Sequence, residues 1–445
     1  MAEWQLPAEL VLGITQLSQP LQARWAGRRL PLVTGMRFAQ GRRTVASWLR
    51  AGGIGADYRA CYYFLGSRGR HVTSVASRLL RRAVTVIAPG ERLLLALDDT
   101  PPQRSGKHVE GAGIHHNPTP GPAAQQFLYG HSWVTLAWVV RHPRWGTIGL
   151  PLRALRYVRQ KQLTLVHLRY GGTFRTKLAR GAERVEWAAD WLRFLDQPWW
   201  VVADGAFAKR PFLRRALAAG GVVVSRRRQD AALRSVPVPP RPGQPKKRGR
   251  KPQYGTQAIS LAKRAGHGKG GQTVECVPYG QRVSKTYPTF LATYPPAGGL
   301  IRVVLVREDD GWVAFCGTDP QATVPQILEA FADRAAIEQD FHDLKEVPGA
   351  GQQPVRHYWA NIAVYHLHLW LHTLIERWAW GRTPAQLCDR SASPWDDAKR
   401  RPSHADRRKA LRRWCLQTEI QHVQGTCPLA PKLRGWIRRL LKLVT

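Results

Sequence analysis

The sequence predicts an α/β fold, a mixed sheet flanked by helices with further helical regions at both ends of the chain. Three observations lead there. Apolar runs of strand length recur at Arg92–Leu97 (RLLLAL), Ser132–Val140 (SWVTLAWVV), Trp199–Ala203 (WWVVA) and Gly221–Ser225 (GVVVS). A helical pattern over Arg180–Leu195 lies between the second and third of them. The 445 residues are 44% hydrophobic with 18 Trp, enough for at least one sizeable core.

Taken in order, residues 1–90 read as a helical region, with Val45, Trp48 and Leu49 on one stripe of Arg42–Ala51 and a second periodic run over Val72–Val84. Basic, short helices ahead of a core suit DNA contact or a plain helical cap. Residues 91–225 hold the apolar strands and form the first part of the core. From 226 the periodicity disappears into Arg, Lys, Pro, Gly and Gln, and a basic, β-rich region is expected over 226–318. It ends in a hairpin of Leu300–Arg307 and Trp312–Cys316 around Glu308–Gly311 (EDDG). Residues 319–380 complete the core with helices near Val324–Val347 and Trp359–Trp378. Residues 381–445 form a basic, helical C-terminal region with RRK at 407–409.

Lys and Arg number 68 against 30 Asp and Glu, a formal net charge of +38. Solubility alone explains a charge of roughly 2–8 on a small domain, so a polyanionic partner, nucleic acid, is expected. The run Lys246, Lys247, Arg248, Gly249, Arg250, Lys251 matches segments that contact phosphates or enter narrow minor grooves. Cys61, Cys276, Cys316, Cys388, Cys415 and Cys427 form no close pair, which speaks against a zinc knuckle or a disulfide scaffold. The opening MAEWQLPAEL has no secretory pattern, and the apolar stretch Ala360–Ile375 is interrupted by His366, His368 and His372, so neither export nor a membrane span is expected. Nothing completes a zinc site with those histidines, and they are expected to pack. The compartment expected is the cytoplasm.

At three places acids stand where solvated acids are not expected. Asp98 and Asp99 end the first apolar strand, Asp204 ends Trp199–Ala203, and Glu338 lies in the helix after the hairpin. Carboxylates at the ends of neighbouring buried strands repel one another unless hard cations neutralise them. Two such ions can activate an attacking oxygen and stabilise a leaving one in phosphoryl transfer. Adjacent strand residues face opposite ways, so only one of Asp98 and Asp99 can face the ions. At about 100° per residue, Arg334, Glu338 and Lys345 fall within about 40° of one another, with Phe331 and Phe341 alongside and Asp340 and Asp343 turned away.

The residues Arg334, Glu338 and Lys345 resemble the Tyr-Arg-Glu-Lys signature of a large insertion-sequence family of DDE transposases, with Phe331 in the Tyr position. Asp98-Asp99-Thr100 is similar to the family's D-x-T box and Asp204-Gly205-Ala206-Phe207 to its D-G-A-F box, and this match makes Asp98 the first acid, with Asp99 as the alternative. The 134 residues from Asp204 to Glu338 leave room for the family's β-rich insertion. The resemblance implies a ribonuclease-H-like fold and two Mg²⁺ ions on Asp98, Asp204 and Glu338, with Mn²⁺ able to substitute. It implies phosphate contacts by Arg334 and Lys345, and cleavage at the element's terminal inverted repeats followed by joining of the 3′-OH to target double-stranded DNA. It further implies a homodimer in the synaptic complex, working on the bacterial nucleoid. A decayed relative that binds DNA without cutting it is the other reading.

Overall fold

The computed structural model describes residues 5–18, 26–39, 44–87, 90, 92–117, 126–164, 166, 172–238, 249, 251–267, 271–309, 311–390, 393, 395–424, 433 and 437. Among the described residues, the first helices are α1 (Ala8–Ser18), α2 (Ala26–Phe38), α3 (Val45–Ala51), α4 (Tyr58–Arg68) and α5 (Val72–Val86). The Thr44 side chain caps α3 by accepting from Ser47 N, and Val45, Trp48 and Leu49 are buried, as their shared stripe requires. These helices share one apolar cluster with the sheet and the long helix described below.

Next come β1 (Leu93–Thr100), the two-stranded ribbon β2 (Gly113–His116) and β3 (Phe127–Gly130), then β4 (Ser132–His142), β5 (Gly146–Tyr157), the short α6 (Gln160–Leu163), α7 (Lys177–Leu192), β6 (Trp199–Ala203), α8 (Arg210–Ala218) and β7 (Val222–Arg227). The core order is β5-β4-β1-β6-β7. β1, β4 and β5 are antiparallel neighbours, whereas β6 and β7 run parallel to β1, with Leu97 opposite Ala203 and Ala203 opposite Ser225. The parallel strands are joined through α7 and α8, because parallel neighbours need a crossover. β1 stops at Pro101-Pro102, where two consecutive residues lack an N–H donor.

The chain then forms β8 (Leu233–Arg234), β9 (Ala258–Ile259), α9 (Leu261–His267), β10 (Gly271–Cys276), β11 (Val283–Tyr294), β12 (Gly299–Glu308) and β13 (Gly311–Gly317). The expected hairpin is present as β12–β13, with Gly311 at φ +136°, a backbone that favours glycine. β13 pairs with β7, so these strands continue the core sheet to eleven strands. β11 begins inside the stretch read as aperiodic. Its first four residues, Val283–Thr286, are exposed or half-buried and Pro288 follows soon after, which erased the alternation that marks a strand.

The last elements are α10 (Val324–Asp333), α11 (Ala335–Glu346), α12 (Tyr358–Ala379), α13 (Pro384–Leu387) and α14 (His404–Gln424). The single helix expected over Val324–Val347 is two. At Arg334 the bonds shorten to three-residue steps, Arg334 N to Phe331 O and Ile337 N to Arg334 O, which interrupts the helix at that residue. α10 and α11 cover one face of the sheet, while α7 and α12 cover the other.

α12 is buried along nearly its whole length. His366 Nε2 accepts from Ala154 N at 3.1 Å, Trp370 Nε1 donates to Leu152 O at 2.9 Å, and Thr373 Oγ1 donates to Pro151 O at 2.7 Å. The β4–β5 register shifts here, Leu136 facing Arg153 but Ala137 facing Pro151. The bulge frees backbone groups that one face of α12 then satisfies. His366 is a packed histidine, as expected.

Candidate active site

Strand parity sorts the acids. Along β1, Leu93, Leu95 and Leu97 join the cluster on the α7 side, while Leu94 and Ala96 join the cluster on the α10–α11 side. Along β6, Val201 and Ala203 belong to the first cluster and Trp200 and Val202 to the second. Continued at a period of two, this puts Asp98 and Asp204 toward α11 and Asp99 toward α7. The polar contacts agree. Asp98 Oδ2 accepts from Arg334 Nη1 at 2.7 Å, whereas Asp99 Oδ2 pairs with Lys177 Nζ of α7 at 2.5 Å and accepts from Ser132 Oγ at 3.4 Å.

β1 and β6 are in register to Leu97 and Ala203, so Asp98 and Asp204 are the next residues of adjacent parallel strands, spaced about 4.8 Å apart in backbone. Asp204 is half-buried, and its backbone oxygen accepts from Phe207 N at 3.0 Å as the chain turns into a 3₁₀ step over Gly205–Phe207. Phe207 is buried and anchors that turn.

Glu338 lies in the first turn of α11 with its side chain 55% exposed, and Arg334 Nη2 donates to its Oε1. Arg334 thus bridges Asp98 and Glu338, and its guanidinium also lies 5.5 Å from the Phe331 ring centroid. Lys345 is half-buried, and burial lowers its pKa against the opposing pull of Glu346 and Asp98. Burial raises the Asp98 carboxyl to about 6, although Arg334 and the Asp99 N–H draw it down. Desolvation outweighs one guanidinium here, and neighbouring Asp99 and Glu338 add to the rise.

One expectation needs correction. Phe341 does not line this site; it packs with Ile337 in the apolar cluster under α11. Asp340 and Asp343 turn away from Glu338, as expected, and are buried on the opposite side of the helix. Of the basic run, Lys246, Lys247, Arg248 and Arg250 lie outside the described residues, and Lys251 is exposed. Sequence reasoning missed Lys177, which no motif marks and which only the packing of α7 brings to Asp99. Part of the positive charge is also internal. Arg104, for example, is buried and binds the carbonyls of Gly351, Gln353 and Val355.

The all-carboxylate donor set suits hard divalent ions such as Mg²⁺, and the guanidinium between Asp98 and Glu338 marks a point where positive charge is already held.

A mixed sheet with strands in the order above, flanked by helices and with acids at the ends of two adjacent parallel strands, has the ribonuclease-H-like architecture. The family model described as DDE superfamily endonuclease matches residues 16–272, more than half of the chain. The chain belongs to this family, whose members act on DNA. The match includes Asp98 and Asp204 and ends before Glu338. Among curated proteins, none matches the chain. Among the described residues, no helix is long and apolar enough to cross a membrane.

Proposed function

We propose that the protein is a DNA transposase of the insertion-sequence type carrying the Tyr-Arg-Glu-Lys signature, which hydrolyses a phosphodiester at each element end and transfers the freed 3′-OH into target DNA. The observation that carries this reading is the bridge from Arg334 to Asp98 and Glu338, beside a parallel strand that ends in Asp204. Asp98, Asp204 and Glu338 would hold two Mg²⁺ ions, which when bound activate the attacking oxygen and stabilise the leaving one.

The chain's own residues do the rest. Arg334, released from the acids, binds the scissile strand's phosphate, where a planar guanidinium offers two parallel donors. Lys345 adds charge from the same face of α11, and Lys177 stands on the α7 side of β1. The basic loop around Lys246, Lys247, Arg248, Arg250 and Lys251, with the N-terminal helices, would hold the terminal repeat through phosphates, and a homodimer would bring two ends together.

The test is cleavage and joining of DNA carrying the element's native flanks, with Mg²⁺ and separately with Mn²⁺. Nicking at the repeat ends followed by joined products supports the proposal. Specific binding with no cleavage under either metal would leave a DNA-binding protein instead.

A further inference from the structure

Behind α11, on the side away from Glu338, a cavity of about 230 Å³ opens between α11, α12 and the start of α14. Three side chains there carry metal-ligating atoms: His372 and Glu376, one turn apart on α12, and His404 at the head of α14. One ring nitrogen of each histidine and one Glu376 oxygen lie within 4.8 Å of one another, and all three residues are buried.

The surroundings prepare these groups for a cation. Asp340 Oδ1 of α11 lies 3.3 Å from His372 Nε2, which places the proton on that nitrogen. In the neutral ring Nδ1 then carries a bare lone pair, and it is buried without a hydrogen-bond partner among the described residues. A carboxylate behind a histidine is the usual support for a metal-bound imidazole. Asp340 Oδ2 is likewise buried without a partner in the same cavity. Arg407 pairs with Glu376 Oε2, leaving Oε1, which accepts from His404 Nδ1 at 2.7 Å. With Glu376 and Asp340 anionic and Arg407 cationic, the cluster keeps one net negative charge around two stacked imidazoles 3.8 Å apart. Arg400, at the cavity rim, is tied to Asp396 and Asp406, so its charge is balanced.

We propose that His372, Glu376 and His404 form a zinc site, separate from the acids of the DNA-cutting centre. Two imidazoles and one carboxylate are a ligand set for zinc rather than Mg²⁺. The ion takes the place of the proton between His404 Nδ1 and Glu376 Oε1, which moves to His404 Nε2 or leaves to solvent, and its fourth position opens into the cavity. Bonds of about 2.0–2.1 Å place tetrahedral ligands roughly 3.4 Å apart, a closure that turning the two rings supplies. The site joins α14 to the buried α12 and, through Asp340, fixes the rear of the helix that carries Glu338.

The full chain, stripped with chelator and reloaded, tests this with zinc itself. One zinc per chain should survive gel filtration, and its X-ray absorption should show scattering from two imidazoles. No histidine belongs to the Asp98, Asp204 and Glu338 set, so zinc held there would lack that scattering. Glu338→Gln should retain the ion, whereas His404→Gln and Glu376→Gln should reduce retention at least tenfold. Failure to retain zinc, an oxygen-only shell, or retention unchanged in both cluster variants overturns the site. If a cluster variant does not fold, the wild-type spectrum alone decides. None of these readouts depends on cleavage, so the transposase proposal stands or falls separately.

Discussion

Arg334 Nη1 donates to Asp98 Oδ2 at 2.7 Å across 236 positions of sequence, and the same guanidinium reaches Glu338 one turn further along its helix. A side chain cation therefore occupies the space between two acids that the proposed mechanism assigns to metal. Under that mechanism, cation and metal would compete for the same oxygens until DNA offered Arg334 a phosphate.

Arg334→Ala should act in opposite directions on two measurements. Without DNA, the affinity for Mn²⁺ should rise, because the competing guanidinium is gone. Cleavage of element ends should fall by about 10²–10³, the usual cost of losing one donor to developing charge. Calorimetric Mn²⁺ titration and single-turnover cleavage check the pair, and a variant that weakened both would argue against the competition.

The parity of β1 separates its two acids. Asp98→Asn should reduce metal-dependent cleavage more than about 100-fold, since several kcal/mol of charge stabilisation is at stake at about 1.4 kcal/mol per tenfold. Asp99→Asn loses the ion pair with Lys177 on the α7 side, away from Arg334, and should retain most of the activity. Loss of cutting in Asp99→Asn alone would reverse the assignment.

Gly149 of β5 is where the buried Asp340 carboxylate rests, and a Cβ there would lie 2.0 Å from Asp340 Oδ2. Gly149→Ala should destabilise the protein by about 1–3 kcal/mol, the usual cost of overpacking, and slow cleavage by shifting α11. The double variant Gly149→Ala, Asp340→Ala should recover part of the stability in denaturant melts. No recovery would mean that the clash is not with Asp340.

At the head of α14, Ser403 N donates to Asp406 Oδ2 at 2.7 Å while Asp406 N donates to Ser403 Oγ at 3.2 Å, a reciprocal cap. Burial works against the Asp406 charge, but Arg400 and Ser403 outweigh it and hold the carboxyl at about 2. A depressed carboxyl contributes stability above its unfolded pKa, near 3.9, and loses it as the pH falls toward 2. Asp406→Asn should cost about 0.5–2 kcal/mol near neutral pH, a gap that closes between about pH 4 and pH 2. Paired melts across that range measure it, and a gap independent of pH would remove the ionised carboxylate from the account.

The sequence alone marked β1, β4, β6, β7, β12 and β13, because each is a short apolar run, but not β5 or β11; it also marked the acids, because ionisable residues rarely end such runs without a partner. It also determined the spacing of Arg334, Glu338 and Lys345, which the structure places at the N-cap and along α11. Only the tertiary structure decided what those acids meet. The hydrogen-bond register set Asp98 beside Asp204, and packing of α7 brought Lys177 to Asp99. It likewise decided the break at Arg334, the extension of the core sheet by β13, and the meeting of His372 with His404. Periodicity reports which side of an element is apolar; it carries no information about which distant segment covers that side, and the chemistry of every site here depends on that second fact.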